Sequence, residues 1–284
     1  MNHFIEIVKY KFRRAFQLLN LRYAHWVFMQ WFQPNVILTS SLDNGLVIQY
    51  RAQGPVSQEL YTGRLEHDVI DFFRYFLKPG MFVFDVGANI GIYSLLGAKL
   101  VGQCGSVHAF EPTPATFAQL VANVMLNGFN WIHLNQKAVS EKSGTSLLYL
   151  YKQNPINSLA RQDWVGQPLG QIAIETVTLD EYVSEQALPR VDLVKIDVEG
   201  AEILVLKGAR QLLNGPNPPA VICEFSDKTT HGFGYDAMEL RQFLEDQGYK
   251  LYRWELGSRS LVPEPKRSNY ITIYANLIGV KETN

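Results

Sequence analysis

Cysteine is almost missing: Cys104 and Cys223 are the only two in 284 residues. Two cysteines so far apart make no disulfide framework, and their separation fits no zinc spacing. A reducing cytoplasm is the expected setting. No run of about 18 apolar residues occurs, so no transmembrane helix is expected. Nor is there an excess of one charge. Lys and Arg number 26 against 27 Asp and Glu, a net charge of −1. A chain without a basic field is not expected to bind nucleic acid. No small-residue cleavage site follows the apolar N-terminal part, which argues against a signal peptide. Internal repeats and low-complexity tracts are missing too. What is left is an ordinary globular composition, 47% hydrophobic and 19% charged, long enough for one large α/β core.

Residues 1–33 stand out. They carry Lys9, Lys11, Arg13, Arg14 and Arg22 against Glu6 alone, with aromatics at Phe4, Phe16, Trp26, Phe28, Trp31 and Phe32. A basic, aromatic helix can pack on the body of the protein, pair with a second copy, or lie on an anionic membrane surface. Packing or pairing is the favoured expectation, with peripheral membrane contact as the alternative. Pro34 ends the helical pattern. NVILTS and LVIQYRA then flank Asp43-Asn44-Gly45, the pattern of a β-hairpin. Residues 1–60 are therefore read as a helical segment plus hairpin, and residues 61–284 as the main domain.

In RLEHDVIDFFRYFL, residues 64–77, the apolar side chains recur at helical spacing. From Met81 onward strands and helices alternate. FVFDV, SVHAFE, WIHLNQKAV, VDLVKIDV and AVICEF read as strands, with helical patterns following most of them. This predicts an α/β fold with a mostly parallel sheet covered by helices on both faces. YKLYRW and NYITIYANLI close the chain with no helix between them, so one strand should return antiparallel. TSLLYLY and IAIETVTL read as an added strand pair. The long loop between them, NPINSLARQDWVGQPLG, is expected to be functional. Its Asn157, Ser158, Arg161 and Trp164 are candidates to touch an acceptor or cover a cofactor; a solvated connector is the equal alternative.

The chemistry concentrates in FVFDVGANIGIYS, Phe82 to Ser94. A strand running into a glycine turn and a helix commonly holds a nucleotide. The spacing here is G-A-N-I-G, not the dinucleotide G-x-G-x-x-G. Asp85 beside the turn would repel a pyrophosphate. It would suit a ligand that is cationic there, such as S-adenosylmethionine with its ammonium and sulfonium; alternatively Asp85 only braces the turn. Glu111 ends the second strand twenty residues past Gly91. A carboxylate so placed takes ribose hydroxyls, which suits a nucleoside of either kind, NAD included.

KIDVEGAE, residues 195–202, is the candidate catalytic region. Asp197 falls at the carboxyl end of a central strand, as general base, substrate ligand or cofactor contact. Glu199 follows in the turn, and Glu202 is read as helix N-terminal charge. Glu224 ends the next strand on the same rim. His231, in the loop beyond, is the histidine placed nearest the acceptor side. Asp197, Glu199 and Glu224 could together hold a hard cation such as Mg²⁺, but no metal is expected.

DVGANIGIYS, AFEPTPATFAQLVANVMLNG, TVTLDEYV and VDLVKIDVEGAEILVLKGA, in that order, resemble the FkbM family of S-adenosylmethionine-dependent methyltransferases. The likeness covers roughly residues 60–280. It implies the Rossmann-like class I methyltransferase fold, a seven-stranded sheet with one antiparallel strand. It also implies O-methylation of a hydroxyl on a sugar, polyketide or other metabolite. By the same resemblance Asp85, Gly87, Ala88, Asn89 and Gly91 form the methionine side of the cofactor site. Glu111 binds the ribose, Pro112 and Thr113 flank the adenine, and Ala138 to Ser140 close its pocket. Glu66 reaches the amino acid end of the cofactor. Two rivals are an NAD-dependent oxidoreductase and a non-catalytic scaffold on the same fold, membrane-associated or not.

Overall fold

The computed structural model describes residues 21–33, 35–43, 45–151, 157–267, 269–270 and 275–281. The basic residues Lys9 to Arg14, the Pro34 break and Asn44 of the hairpin turn lie outside them. Residues 21–32 are helical (α1). The expected hairpin follows as β1 (Ile37–Asp43) and β2 (Leu46–Arg51). Next comes α2 (Gly54–Thr62), which the sequence did not suggest because Gly54-Pro55 reads as a breaker. Proline has no N–H to lose in a first turn, so the same residues start a helix here. α3 (His67–Phe76) buries Val69, Ile70, Phe72 and Phe73 on one stripe, each burial contributing roughly 1.5–3 kcal/mol.

The alternating part runs β3 (Phe82–Val86), α4 (Ile92–Val101), β4 (Ser106–Phe110), α5 (Pro114–Asn127) and β5 (Ile132–Asn135). Then come β6 (Ala138–Val139), β7 (Gly144–Leu150), β8 (Gly170–Val177), α6 (Leu179–Glu185) and β9 (Leu193–Ile196). The chain continues through α7 (Glu202–Lys207), α8 (Arg210–Asn214), β10 (Ala220–Phe225), α9 (Asp227–Thr230) and α10 (Ala237–Asp246). It ends with β11 (Lys250–Glu255), β12 (Ser260–Pro263) and β13 (Ala275–Val280).

The main sheet has the order β12-β11-β13-β10-β9-β3-β4-β5. The central strands β5, β4, β3, β9 and β10 are parallel, and β13 runs antiparallel between β10 and β11. The seven expected strands are all there. An eighth, β12, pairs with β11 at the edge. Two other elements differ from the sequence pattern. WIHLNQKAV splits, because its last residues leave the main sheet as β6 and join β8 and β7 in a separate three-stranded sheet. The helix after β9 breaks at Gly208, where a Cβ would stand 2.2 Å from the Ser140 carbonyl oxygen.

One apolar cluster joins α3, α4 and α5 with Trp26, Leu46, Ile48 and Tyr50, so the described part of residues 1–60 shares the main core. Asn123 and Asn127 of α5 accept the Gln49 and Val47 N–H groups at 2.8 and 2.9 Å, which covers the edge of β2. A second cluster lies under α6, α7 and α10, and a small third one joins Ala138, Leu148 and Ile174 of the three-stranded sheet. Among the described residues no helix is long and apolar enough to cross a membrane. The chain passes from β3 out to β5 and returns as β9 on the far side of β3. That reversal opens a crevice at the carboxyl ends of β3 and β9, where α/β sheets take their ligands.

Candidate active site

The glycine turn after β3 is held tightly from behind. Gly87 and Ala88 both donate their N–H to the Phe110 carbonyl, at 3.0 and 2.9 Å. Asn89 N donates to Glu111 Oε2 at 3.2 Å. These donors are spent inside the protein, so a pyrophosphate would find none of them. That is a more direct argument against a dinucleotide than the sign of Asp85. Gly87 has φ +83°, and a Cβ there would fall 1.8 Å from the Asp197 carbonyl oxygen. The turn and the exit of β9 therefore touch backbone to backbone, which only glycine permits.

Asp85 does not face the crevice. It is 1% exposed, and Ser94 Oγ donates to its Oδ2 at 2.6 Å. The β3–β9 register sets it beside Lys195. Burial pushes its carboxyl up, against the opposing pull of Lys195 and Ser94. Asp85 braces the turn through Ser94 and offsets part of the Lys195 charge; it lines neither half of the crevice, and its buried Oδ1 has no partner among the described residues. Gly91 is also off the crevice: a Cβ there would meet Leu120 Cδ1 at 2.7 Å, so its role is close packing at the start of α4. Ser140 is buried, with its N–H on the Val177 carbonyl, and joins the small sheet rather than the crevice.

The nucleoside half of the crevice is lined by Glu111, Pro112, Thr113, Ala138, Val139 and Asn157, with Phe110, Leu148 and Leu159 as further apolar wall. Thr113 N donates to Glu111 Oε1 at 2.8 Å while Asn89 N holds Oε2. Both oxygens keep a second lone pair for a diol. Burial raises Glu111 to about 7, and the hydrogen bonds from Thr113 and Asn89 counter part of that. A carboxylate between two backbone donors beside an apolar slot fits the ribose and purine of S-adenosylmethionine. The residues present are those the cofactor needs.

The other half is lined by Glu59, Glu66, Tyr93, Lys195, Glu224 and Trp164, together with Ala88. Gly87, Asn89, Asp197 and Glu199 line both halves, so the crevice is continuous. Glu66 is fixed by Tyr93 Oη, which donates at 2.5 Å, and by Asn276 Nδ2 at 2.6 Å. Lys195 is 1% exposed, donates to Asp197 Oδ2 at 2.9 Å and stands 4.4 Å from the Tyr93 ring centroid. Alternation along β9 puts Lys195 and Asp197 on one face. Glu199 has φ +53° in the turn, a conformation rarely adopted without compensation. Ser158 Oγ and Gln162 Nε2 provide it, each donating to the Glu199 carbonyl at 3.0 Å.

Burial, and next the neighbouring Asp197, push Glu199 and Glu224 well above the ordinary carboxylate range. Burial raises Glu59 to about 7. Glu202, expected as helix N-terminal charge, accepts the Val198 and Gly200 N–H groups at the start of α7 and so ties the turn to the helix. Among the described residues no three His, Cys, Asp or Glu side chains form a group that could hold a metal ion.

His231 is exposed, in a one-turn 3-10 helix after α9, and does not line the crevice. Its place as candidate base is corrected. The segment expected as a loop coils at once because Ser226 O accepts from Thr229 and Thr230. Arg161 pairs with Asp163 and Gln167 away from the crevice. Contributors that the sequence does not suggest include Glu59 and Val56 of α2, Tyr93, and the buried Gln162 that ties the long loop to the Glu199 turn. Lys195 is given no role by the sequence either. For Glu59 and Gln162 no local pattern gives a signal.

The family model described as "Methyltransferase FkbM domain" matches residues 85–251. The chain is 32% identical over 225 residues to 31-O-demethyl-FK506 methyltransferase FkbM of Streptomyces tacrolimicus, covering 68% of this chain and 83% of that one. It is 31% identical to the hexuronic acid methyltransferase AglP of Haloferax volcanii, over 54% of this chain and 60% of that one. Among solved structures, an rRNA methylase from Streptococcus thermophilus aligns with a TM-score of 0.44 at 13% identity, covering 77% of this chain and 96% of the other. With the family model spanning more than half of its residues, the chain belongs to the FkbM family of S-adenosylmethionine-dependent methyltransferases.

Proposed function

We propose that the protein transfers a methyl group to a hydroxyl of a carbohydrate or a similarly hydroxylated metabolite. One observation carries this reading. A nucleoside-shaped half with Glu111 and a polar half with Asp197 form one crevice, joined at Gly87, Asn89, Asp197 and Glu199. The printed activities of two relatives point the same way, one named for a hexuronic acid and one, NoeI of Sinorhizobium fredii, as a 2-O-methyltransferase.

When bound, S-adenosylmethionine supplies a methyl group already activated by its sulfonium, for in-line displacement by the acceptor oxygen. In this reading the chain's own work is alignment and proton removal, and alignment alone can supply several kcal/mol. Glu111 holds the ribose, and the Gly87–Asn89 backbone fixes the amino acid end of the cofactor against Glu66. Asp197 takes the acceptor proton on Oδ1 while Lys195 keeps Oδ2 occupied and the carboxylate oriented. Glu199 and Glu224 hold protons to higher pH than ordinary carboxylates, so each can donate a hydrogen bond to an acceptor hydroxyl. The test is Asp197→Asn in a tritium-transfer assay with a sugar panel. A loss of turnover with unchanged S-adenosylhomocysteine affinity supports the base. Equal losses in both recast Asp197 as a cofactor contact.

A second proposal concerns α1. Trp26 and Met29 are buried, whereas Trp31, at 79% exposure, and Phe28 and Phe32 face outward. Together with the basic residues before them, these aromatics suit an anionic lipid surface. Flotation with phosphatidylglycerol vesicles but not with phosphatidylcholine vesicles is the expected result. A dimer by light scattering that Trp31→Ser dissolves would assign the face to a second copy instead.

A further inference from the structure

The acceptor half of the crevice has an unusual balance of charge for a family in which one relative is named for a uronic acid. Among the described residues five carboxylates line it, Glu59, Glu66, Asp197, Glu199 and Glu224, against one lysine, Lys195. With Glu66 turned to the cofactor's ammonium, four are left for the acceptor, and a further cation acting on Glu199, Lys228, stands over the Trp164 ring. Lys195 is already engaged by Asp197 at 2.9 Å and sits beside the buried Asp85. Burial raises Glu59 and Glu224, and neighbouring carboxylates add to it, Glu66 and Asp197 for Glu59 and Asp197 and Glu199 for Glu224. They arrive from α2, the start of α3, the end of β9, the turn after it and the end of β10, so the charge surrounds the cavity.

We propose that this cavity selects uncharged or amino-bearing sugar-like acceptors and rejects acceptors that carry a carboxylate or phosphate. The proposal rests on the methyltransferase reading above and adds the class of acceptor. An anion entering here meets carboxylates that are either ionised and repel it, or must take up protons to avoid doing so. Among the described residues the one lysine that lines this half, Lys195, is held by Asp197. A neutral polyol meets only hydrogen-bonding groups, because a carboxyl accepts from a hydroxyl when ionised and also donates to one when protonated. An amino group gains an ion pair. The bound cofactor, cationic at its sulfonium and ammonium, offsets part of the negative charge without supplying a site for an anion. Trp164, 38% exposed on the cavity wall, offers an aromatic face to a pyranose ring. The Lys228 ammonium stands 3.9 Å from its ring centroid.

Glu59 makes the test specific, because it comes from α2 and lines only the acceptor half. The full chain, saturated with S-adenosylhomocysteine, is titrated by saturation-transfer NMR with a matched trio. These are methyl α-glucopyranoside, the corresponding methyl glucuronide and the 2-amino-2-deoxy glycoside. Tritium transfer from S-adenosylmethionine to each is measured in parallel. The expected result is glucuronide binding at least tenfold weaker than glucoside, with the amino sugar at least as tight as the glucoside. Glu59→Lys is expected to bring the glucuronide to parity, and Glu59→Gln, the milder change, to narrow the gap severalfold. Glucuronide binding as tight as glucoside in the wild type overturns the proposal. So does binding of none of the three by a protein that holds S-adenosylhomocysteine. Failure to bind S-adenosylhomocysteine at all is a separate result, which removes the cofactor reading and the proposal with it.

Discussion

The two halves of the crevice are built in opposite ways. In the nucleoside half the polar groups argued to hold the cofactor, the glycine turn and Glu111, come from the adjacent units β3 and β4, while Ala138, Leu148, Asn157 and Leu159 close the wall from farther along the chain. Backbone hydrogen bonds set its geometry: Phe110 O holds the turn and Asn89 N holds Glu111. The acceptor half is gathered from α2, α3, α4, β9, β10 and the long loop, and side chains set its geometry. A site fixed by backbone tolerates little change in conformation. One assembled from separated side chains can change specificity while the fold stays intact.

The sharpest way to break this contrast is Gly87→Ala. A methyl group at φ +83° would strike the Asp197 carbonyl. The expected cost is about 2–4 kcal/mol of stability and loss of S-adenosylhomocysteine binding, read by thermal melts and calorimetry. Gly128→Ala is the control: φ is +70°, but nothing lies within 4 Å of the added methyl. It should cost about 1 kcal/mol and leave binding intact.

Next in size is Asp197→Asn. Turnover should fall about a hundredfold, within the range for loss of a general base, with cofactor affinity changed less than threefold. Equal losses would merge the two halves functionally.

Glu111 gives a pH-dependent test. Its folded value of about 7 lies above that of an exposed glutamate, so the folded state holds the proton more tightly. This group's contribution to stability is full below its ordinary range and is lost as pH rises through 7. Glu111→Gln carries no such dependence. Without cofactor, the variant should be the less stable of the two at pH 5, because its single amide oxygen cannot accept from both Asn89 N and Thr113 N. Between pH 5 and pH 8 the difference should move in the variant's favour by on the order of 2 kcal/mol. Melting curves that stay parallel across this range would contradict the assignment.

The smallest effect is expected from His231→Ala. The side chain is exposed and outside the crevice, so turnover should change less than twofold. A tenfold loss in steady-state kinetics would bring His231 back to the acceptor side.

The same contrast explains what the sequence made legible. The parallel sheet, the Asp43 to Gly45 hairpin and the Glu111 position are local patterns, with apolar periods and fixed offsets to carry them. Asp85 was recognised as important, but its direction was misread. The residue type cannot tell a carboxylate facing a ligand from one bonded to Ser94, under the charge of Lys195, beneath the turn. Glu59 and Gln162 were invisible for a different reason. Each acts through a partner distant in sequence: Gln162 reaches the carbonyls of Glu199 and Thr229, and Glu59 senses Asp197. Only the folded chain brings them together. His231 was overvalued because short helical coiling after Ser226 cannot be read from a polar run.

The account stands on Glu111 and the glycine turn forming a nucleoside site. Calorimetry with S-adenosylhomocysteine on the wild type and on Glu111→Ala tests that most directly. Micromolar binding by the wild type, weakened at least tenfold in the variant, is the predicted result. Equal affinity in the two proteins, or no binding by folded wild type, would contradict it.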